Sequence, residues 1–230
     1  MAYTPIAPGT PDWDVPVNAA FTSQDGRITT NTTNIASNTS NIASNTSSIQ
    51  AINNYLPELP TDHGLIGWVG NPNMFPNQSA LSAGVLAMVK VKVPVATTVT
   101  NSLIAINTLG SGLTSGQNLV GLYNSSGTLL ATSADQTTPW ASTGLKTAAF
   151  TVPPSVSAGD YYVGLLSNGA TPPQLFRGVG SAAASAFLSI GQTATNANWT
   201  SSGSAQTALP ASVAMGSRTL LGTGFWAALS

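Results

Sequence analysis

Hydrolysis or group transfer needs titratable side chains, and residues 61–230 of this 230-residue chain supply few. They hold one imidazole, His63, and three carboxylates, Asp62, Asp135 and Asp160. Asp62 and His63 are neighbours, a placing that suits local capping or pairing better than a catalytic dyad. One His cannot form a His pair with metal-ligand spacing. No Gly-x-Ser-x-Gly elbow occurs, so the usual nucleophile turn is missing. Cys is absent, which removes thiolate ligands and disulfide staples. Asp135 and Asp160 would serve glycoside hydrolysis if the fold brought them within about 5–10 Å. Gly110, Gly112 and Gly116 approach a Gly-x-Gly-x-x-Gly loop with the wrong spacing and no βαβ context. The expectation is a protein without catalytic or metal-ligating residues.

Binding is easier to support. Trp140 closes the polar stretch Ala134-Asp135-Gln136-Thr-Thr-Pro-Trp140. Trp199 lies in Thr195-Asn196-Ala-Asn198-Trp199-Thr. A Trp face beside Asp135 and Gln136, or beside Asn196 and Asn198, can stack on a sugar ring while the polar side chains bond its hydroxyls. The same two Trp residues would equally plug the ends of a β core, because Trp is highly buried on average. Trp68 and Trp226 sit in apolar strands and read as core or trimer contacts. The Asn-x-Ser/Thr triplets at Asn77, Asn124 and Asn198 follow from composition.

Composition bounds the setting in which these residues act. Charged residues make up 6% of the chain and the net charge is −1, against roughly 25% charged in an ordinary soluble domain. Six Lys and Arg spread over the whole length cannot build a nucleic-acid footprint. Ser, Thr and Asn number 27, 29 and 18, so hydroxyls and amides replace charge as the groups that meet water. With 42% hydrophobic residues the chain is not a charge-rich disordered tail. Its apolar runs fall far short of a membrane span, and no basic n-region followed by an apolar stretch opens it, which argues against a secretory signal. This balance suits an extracellular surface or a particle component.

Three segments must position these groups. Residues 1–16 carry Pro5, Pro8, Pro11 and Pro16 and read as an extended segment, with Tyr3, Ile6 and Trp13 as its apolar anchors. Residues 17–59 hold an internal repeat: Asn34-Ile-Ala-Ser-Asn-Thr-Ser recurs as Asn41-Ile-Ala-Ser-Asn-Thr-Ser, and Ile28, Ile35, Ile42 and Ile49 are seven apart. The period is a heptad. Downstream, Ile49, Ile52, Leu56 and Leu59 step by three, four and three. Upstream, Val17, Phe21, Gln24 and Ile28 step by four, three and four. Both flanks put Ile at a, so Asn31, Asn38 and Asn45 occupy d. Fourteen of the residues 31–48 are Ser, Thr or Asn, poor helix formers at about 0.5 kcal/mol each relative to Ala. Such a helix needs association to bury its Ile and Leu side chains, at about 2 kcal/mol each. Pro57 and Pro60 end it.

The repeat Ile-x-x-Asn-Thr-x-x resembles the polar-layer stalks of trimeric autotransporter adhesins and of phage fibres, over about 40 residues. It departs from them in carrying no charged e/g pairs. The resemblance implies three strands, with Asn31, Asn38 and Asn45 pointing to a threefold axis. There the amides bond one another or an axial water, or converge on one anion. The adhesin stalks imply chloride as that ion, the one cofactor in view. The stretch Trp13-Asp-Val-Pro-Val-Asn-Ala-Ala-Phe21 with Asp25-Gly-Arg-Ile28 looks like the start of tail-associated proteins of phages that infect high-GC Gram-positive bacteria.

Residues 60–230 read as a β head. Gly84–Val93 alternates, with Val89, Val91 and Val93 on one face and Lys90 and Lys92 on the other. Leu119–Tyr123 and Gly127–Ala131 flank the turn Asn124-Ser-Ser-Gly127. Gly144–Val152, Asp160–Leu166, Gln174–Val179, Ala186–Ile190 and Thr219–Ala228 complete the expected strands. The rhythm predicts a sandwich or jelly roll. The layout of anchor, trimeric coiled coil and head resembles bacteriophage fibre proteins. It implies a non-enzymatic homotrimeric virion fibre, tail-associated, that docks on another virion protein by its N-terminus and meets a host-surface glycan, with no membrane or nucleic-acid partner. A capsid head fibre or decoration protein is the first alternative, a tail-borne polysaccharide hydrolase the second. A bacterial adhesin is disfavoured by the absent signal and membrane anchor.

Overall fold

The computed structural model describes residues 14–55, 58–178 and 193–230, and Tyr3, Ile6 and Trp13 lie outside them. The protein is mainly β with one long N-terminal helix, and it divides into two compact units, Met1–Pro57 and Glu58–Ser230.

The helix α1 runs from Asp14 to Tyr55, 42 residues, or ~63 Å at 1.5 Å per residue. It starts earlier than the proline pattern suggests. Pro16 falls in its first turn, where the missing N–H has no intrahelical partner to lose, so the extended reading of residues 14–16 is corrected. Along the repeat the hydroxyls turn back onto their own helix. Thr32, Thr39 and Thr46 donate at 2.9 Å to the carbonyls of Ile28, Ile35 and Ile42. Ser40 and Ser47 donate to Ala36 and Ala43. This i−4 bonding satisfies the hydroxyls locally and leaves the Ile side chains as the repeat's large apolar groups.

The second unit opens with a single 3₁₀ turn, Pro60–His63. Its strands among the described residues are β1 (Gly67–Trp68), β2 (Asn77–Ala80), β3 (Leu86–Val93), β4 (Thr97–Thr98), β5 (Asn101–Thr108), β6 (Ser111–Leu113), β7 (Leu119–Asn124), β8 (Leu129–Thr132), β9 (Gly144–Ala149), β10 (Ser155–Val156), β11 (Gly159–Leu166), β12 (Gly169–Thr171), β13 (Gln174–Arg177), β14 (Trp199–Ser202), β15 (Thr219–Leu220) and β16 (Ala227–Leu229). All pairings are antiparallel. One sheet has the order β1-β16-β5-β13-β2, with β9 also paired to β5; the second has the order β15-β14-β3-β11-β7-β8. In the second sheet Val89 of β3 lies opposite Val163 of β11 and Trp199 of β14. Both sheets contribute to one core: Val89, Val91 and Val163 from the second meet Ile104, Ile106, Leu175 and Leu229 from the first.

Most expected strands appear with shifted ends. Ala186–Ile190 lies outside the described residues. Thr219–Ala228 is two short strands, β15 and β16, that belong to different sheets. Strand β5, absent from the expectation, is the hub of the first sheet, pairing with β9, β13 and β16. The hairpin turn forms as read. Gly127 adopts φ +86°, and a Cβ there would meet the Val213 carbonyl oxygen. Asn124 Oδ1 accepts from the N–H groups of Ser126 and Thr128.

Strand β3 is apolar on both faces, which the valine–lysine alternation half conceals. Leu86 and Met88, on the Lys90 side, are fully buried with Tyr123, Tyr162 and Leu166. Leu209, Val213 and Met215 pack on them, and the Tyr123 hydroxyl donates to the Pro210 carbonyl. That segment covers the second sheet's outer face.

Candidate functional site

Three places come under test: the two Trp loops, the scattered carboxylates and the stalk. The Trp140 loop is built from the inside. Asn118 is fully buried and uses every side-chain valence. Its Nδ2 donates to the Thr114 carbonyl and to Thr137 Oγ1, and its Oδ1 accepts from Ser167 Oγ and the Asn168 N–H. Asp135 joins this hub by accepting from the Asn118 N–H, the Thr137 N–H and Thr137 Oγ1. Gln136 is 5% exposed and donates from Nε2 to the Ala134 carbonyl. Trp140 follows on a 3₁₀ turn, Pro139–Ala141, and is fully buried in the main core. Its indole N–H has no hydrogen-bond partner among the described residues.

Trp140 therefore fills the core end and offers no face to a sugar, and Gln136 is inaccessible beside it. Both are withdrawn as glycan contacts. The physical reason is the Asn118 hub, which folds the polar stretch inward. Trp199 is not in a loop at all. It opens β14, donates from Nε1 to the Phe225 carbonyl and meets Phe75 edge-on at 6.5 Å between ring centroids. Asn196 accepts from the Thr193 N–H through Oδ1 and from Lys90 Nζ through its carbonyl. The Asn198 carbonyl accepts from the Lys90 N–H. Trp140 is fully buried and Trp199 half-buried against the same core, so the two offer no shared exposed face.

The carboxylates do not converge. Burial raises the Asp135 pKa, but hydrogen bonds from the Gly116 N–H, the Thr137 hydroxyl and the Asn118 and Thr137 N–H groups outweigh it and hold the group below its ordinary value. Asp160 is exposed at the start of β11, opposite Lys92. Ser167, bonded to the hub that holds Asp135, follows the far end of β11. Seven residues at ~3.3 Å each put roughly 23 Å between the two regions, well beyond the separation a glycosidase pair needs. His63 Nε2 lies 3.5 Å from Glu58 Oε2, and Asp62 accepts from the Leu59 N–H, so both act locally.

A folded pKa below the unfolded one stabilises above the ordinary carboxylate range and loses that contribution as pH falls through the folded value. Acidification below about pH 4 is thus expected to loosen the 134–140 loop. In melting curves from pH 7 down to strong acid, Asp135→Asn should start less stable than wild type and lose less on acidification. Parallel loss in both proteins would refute the assignment.

The stalk presents the other picture. Ile28, Ile35, Ile42 and Ile49 are 56%, 65%, 66% and 58% exposed on the single chain. Phe21, in the same register, is 47% exposed. Asn31, Asn38 and Asn45 are exposed as well. Large apolar side chains exposed along one helix face are a pattern general to interaction surfaces.

No protein-family model matches the chain, and no curated protein matches it. Among the described residues no group of His, Asp and Glu is placed to hold a metal, and no helix is long and apolar enough to cross a membrane.

Sequence reasoning missed Asn118, the residue that decides the fate of Trp140. It is one of 18 Asn, and nothing in its neighbours marks it as buried. Strand β5 did carry a signal: Leu103-Ile-Ala-Ile106 is a continuous apolar run, with Ile104 and Ile106 buried in the core and Leu103 and Ala105 half-buried on the opposite face.

Proposed function

We propose that this chain is a non-enzymatic structural fibre of a bacteriophage virion, a homotrimer joined through α1 and carrying its sandwich-like β unit as a head for contact with the host surface. The observation that carries the reading is the exposed ladder Ile28-Ile35-Ile42-Ile49 on a 42-residue helix. A helix so rich in Ser, Thr and Asn is not stable by propensity, and its Ile stripe gains burial when other copies supply the opposite face. Virion attachment through residues 1–16, and the tail as its place, rest on the N-terminal resemblance. Host contact falls to the hydroxyl- and amide-rich head surface, with Trp140 and Gln136 set aside. Light scattering on the purified full chain should give three times the 23.3 kDa chain mass. A single-chain mass at micromolar concentration would refute the fibre. Imaging of intact particles labelled at the C-terminus should place the head on the tail, and a capsid position would move the fibre there.

In that trimer Asn31, Asn38 and Asn45 face the axis. A buried amide without a partner costs on the order of 1–3 kcal/mol, so each layer bonds internally or holds an anion such as chloride. Polar layers of this kind set strand number and register more than stability. Replacing all three Asn by Ile is expected to raise the stalk's melting temperature, read by helical circular dichroism, and to broaden the oligomer distribution. A lower melting temperature would place these residues off the axis.

A further inference from the structure

The outer face of the first sheet carries an apolar cluster of its own: Phe75, Trp226 and Ala228, with Trp68, Leu103 and Phe176 packed against it. Residues 209–215 pack on the second sheet's outer face, but this cluster opens into a groove of about 640 Å³. Leu145, at its lining, is 61% exposed, and Met74, beside the lining residue Asn73, is 68% exposed. The lining contains no Lys, Arg, Asp or Glu; His63 is its one titratable side chain. Trp226 Nε1 is already spent on the Gly70 carbonyl.

We propose that this groove is the contact through which the heads of the fibre pack, its occupant being the head of a second copy of the chain. The inference rests on the trimeric reading above and extends it from stalk to head. Two observations favour a copy over another partner. A sugar needs several convergent polar groups, and the groove offers chiefly His63 and Asn73 beside its aromatic walls. An uncharged apolar lining matches a partner that is itself nearly uncharged, as this chain is at 6% charged residues. Connectivity then supplies the encounter. His63 follows Tyr55 by eight residues, so helices joined on one axis carry their grooves on short tethers. Tethering raises the effective concentration to about the millimolar range, where a modest apolar contact suffices.

The test uses the full chain, whose lack of Cys allows single thiols to be placed at will. Leu145→Cys and, as a second probe, Met74→Cys sit at the groove, and Val95→Cys is the control. On the single chain these side chains are 61%, 68% and 65% exposed, so without a cover the three thiols react alike. A covered groove slows maleimide labelling of Leu145→Cys and Met74→Cys by roughly tenfold relative to Val95→Cys. Adding Ile42→Asp to dissolve the trimer then restores fast labelling of both groove thiols. Equal rates in a particle of trimer mass overturn the head contact and leave the trimeric stalk standing. Slow labelling that persists in the dissociated chain shows a groove filled by something other than a second head and also overturns it. A single-chain mass overturns both readings.

Discussion

In the trimer proposed above, replacing Ile42 by Asp is expected to dissolve the assembly, whereas Ser44→Asp should leave it whole. The two positions are two residues apart and both exposed on the single chain, so composition and local environment barely distinguish them. Register does. Ile42 occupies a and Ser44 falls at c, on the outside of the bundle. A seam substitution acts three times over, once per chain. Loss of three buried Ile side chains at about 2 kcal/mol each is on the order of 6 kcal/mol per trimer. At 1.4 kcal/mol per tenfold that is about four powers of ten in association. Three carboxylates facing one another add repulsion in a dry seam. Ser44→Asp removes no burial and places its charge in water, where such changes stay within about 0.5 kcal/mol. The measurement is mass against concentration by light scattering, with helical circular dichroism on the same samples. Helicity should fall with the trimer in Ile42→Asp, because the helix has little propensity to survive alone. Equal behaviour of the two variants would remove the heptad seam.

The long helix was legible because its signal is periodic: four Ile at one spacing fix a face however poor the intervening residues are. Its start was misread because a proline cluster marks an extended chain in general, while Pro16 sits where a helix tolerates proline. In the second unit, β3 was legible from its valine–lysine alternation and β11 from its run of Tyr, Val and Leu, residue types that favour strands. Strand β5 was not, because Leu103 and Ala105 on its less buried face are apolar too, so its alternating burial leaves no alternation in the sequence. The Trp loops failed for a different reason. Around Trp140 the polar residues look outward-facing, yet Asn118, Asp135 and Thr137 bond one another and Gln136 Nε2 bonds the Ala134 carbonyl, so the stretch turns inward. A polar stretch reads as surface unless its partners are known, and Asn118 and Ser167 are 49 residues apart in the chain. The groove on the first sheet was invisible for the same reason. It is assembled from residues between His63 and Trp226, and no local pattern collects them.

Trp140 allows the sharpest discrimination between core and binding roles. It is fully buried among the apolar side chains of the main cluster, so Trp140→Ala deletes an indole from a close-packed site. Such truncations cost about 3–5 kcal/mol. For a domain of this size that lowers the melting temperature by roughly 10 °C, at about 2–4 °C per kcal/mol. Trp140→Phe keeps most of the packing and removes an N–H that has no partner among the described residues. The lost volume and the relieved polar atom offset each other, so a loss of about 1–2 kcal/mol is expected. In the host-contact role proposed above, attachment should follow the folded fraction alone: close to normal for Trp140→Phe, and for Trp140→Ala restored on cooling below its melting transition. A stacking platform would behave in the opposite way. There, Trp140→Ala would leave the melting temperature untouched and abolish attachment at every temperature. Scanning calorimetry beside a cell-adsorption assay separates the two, and an unchanged melting temperature with lost adsorption would return Trp140 to the surface.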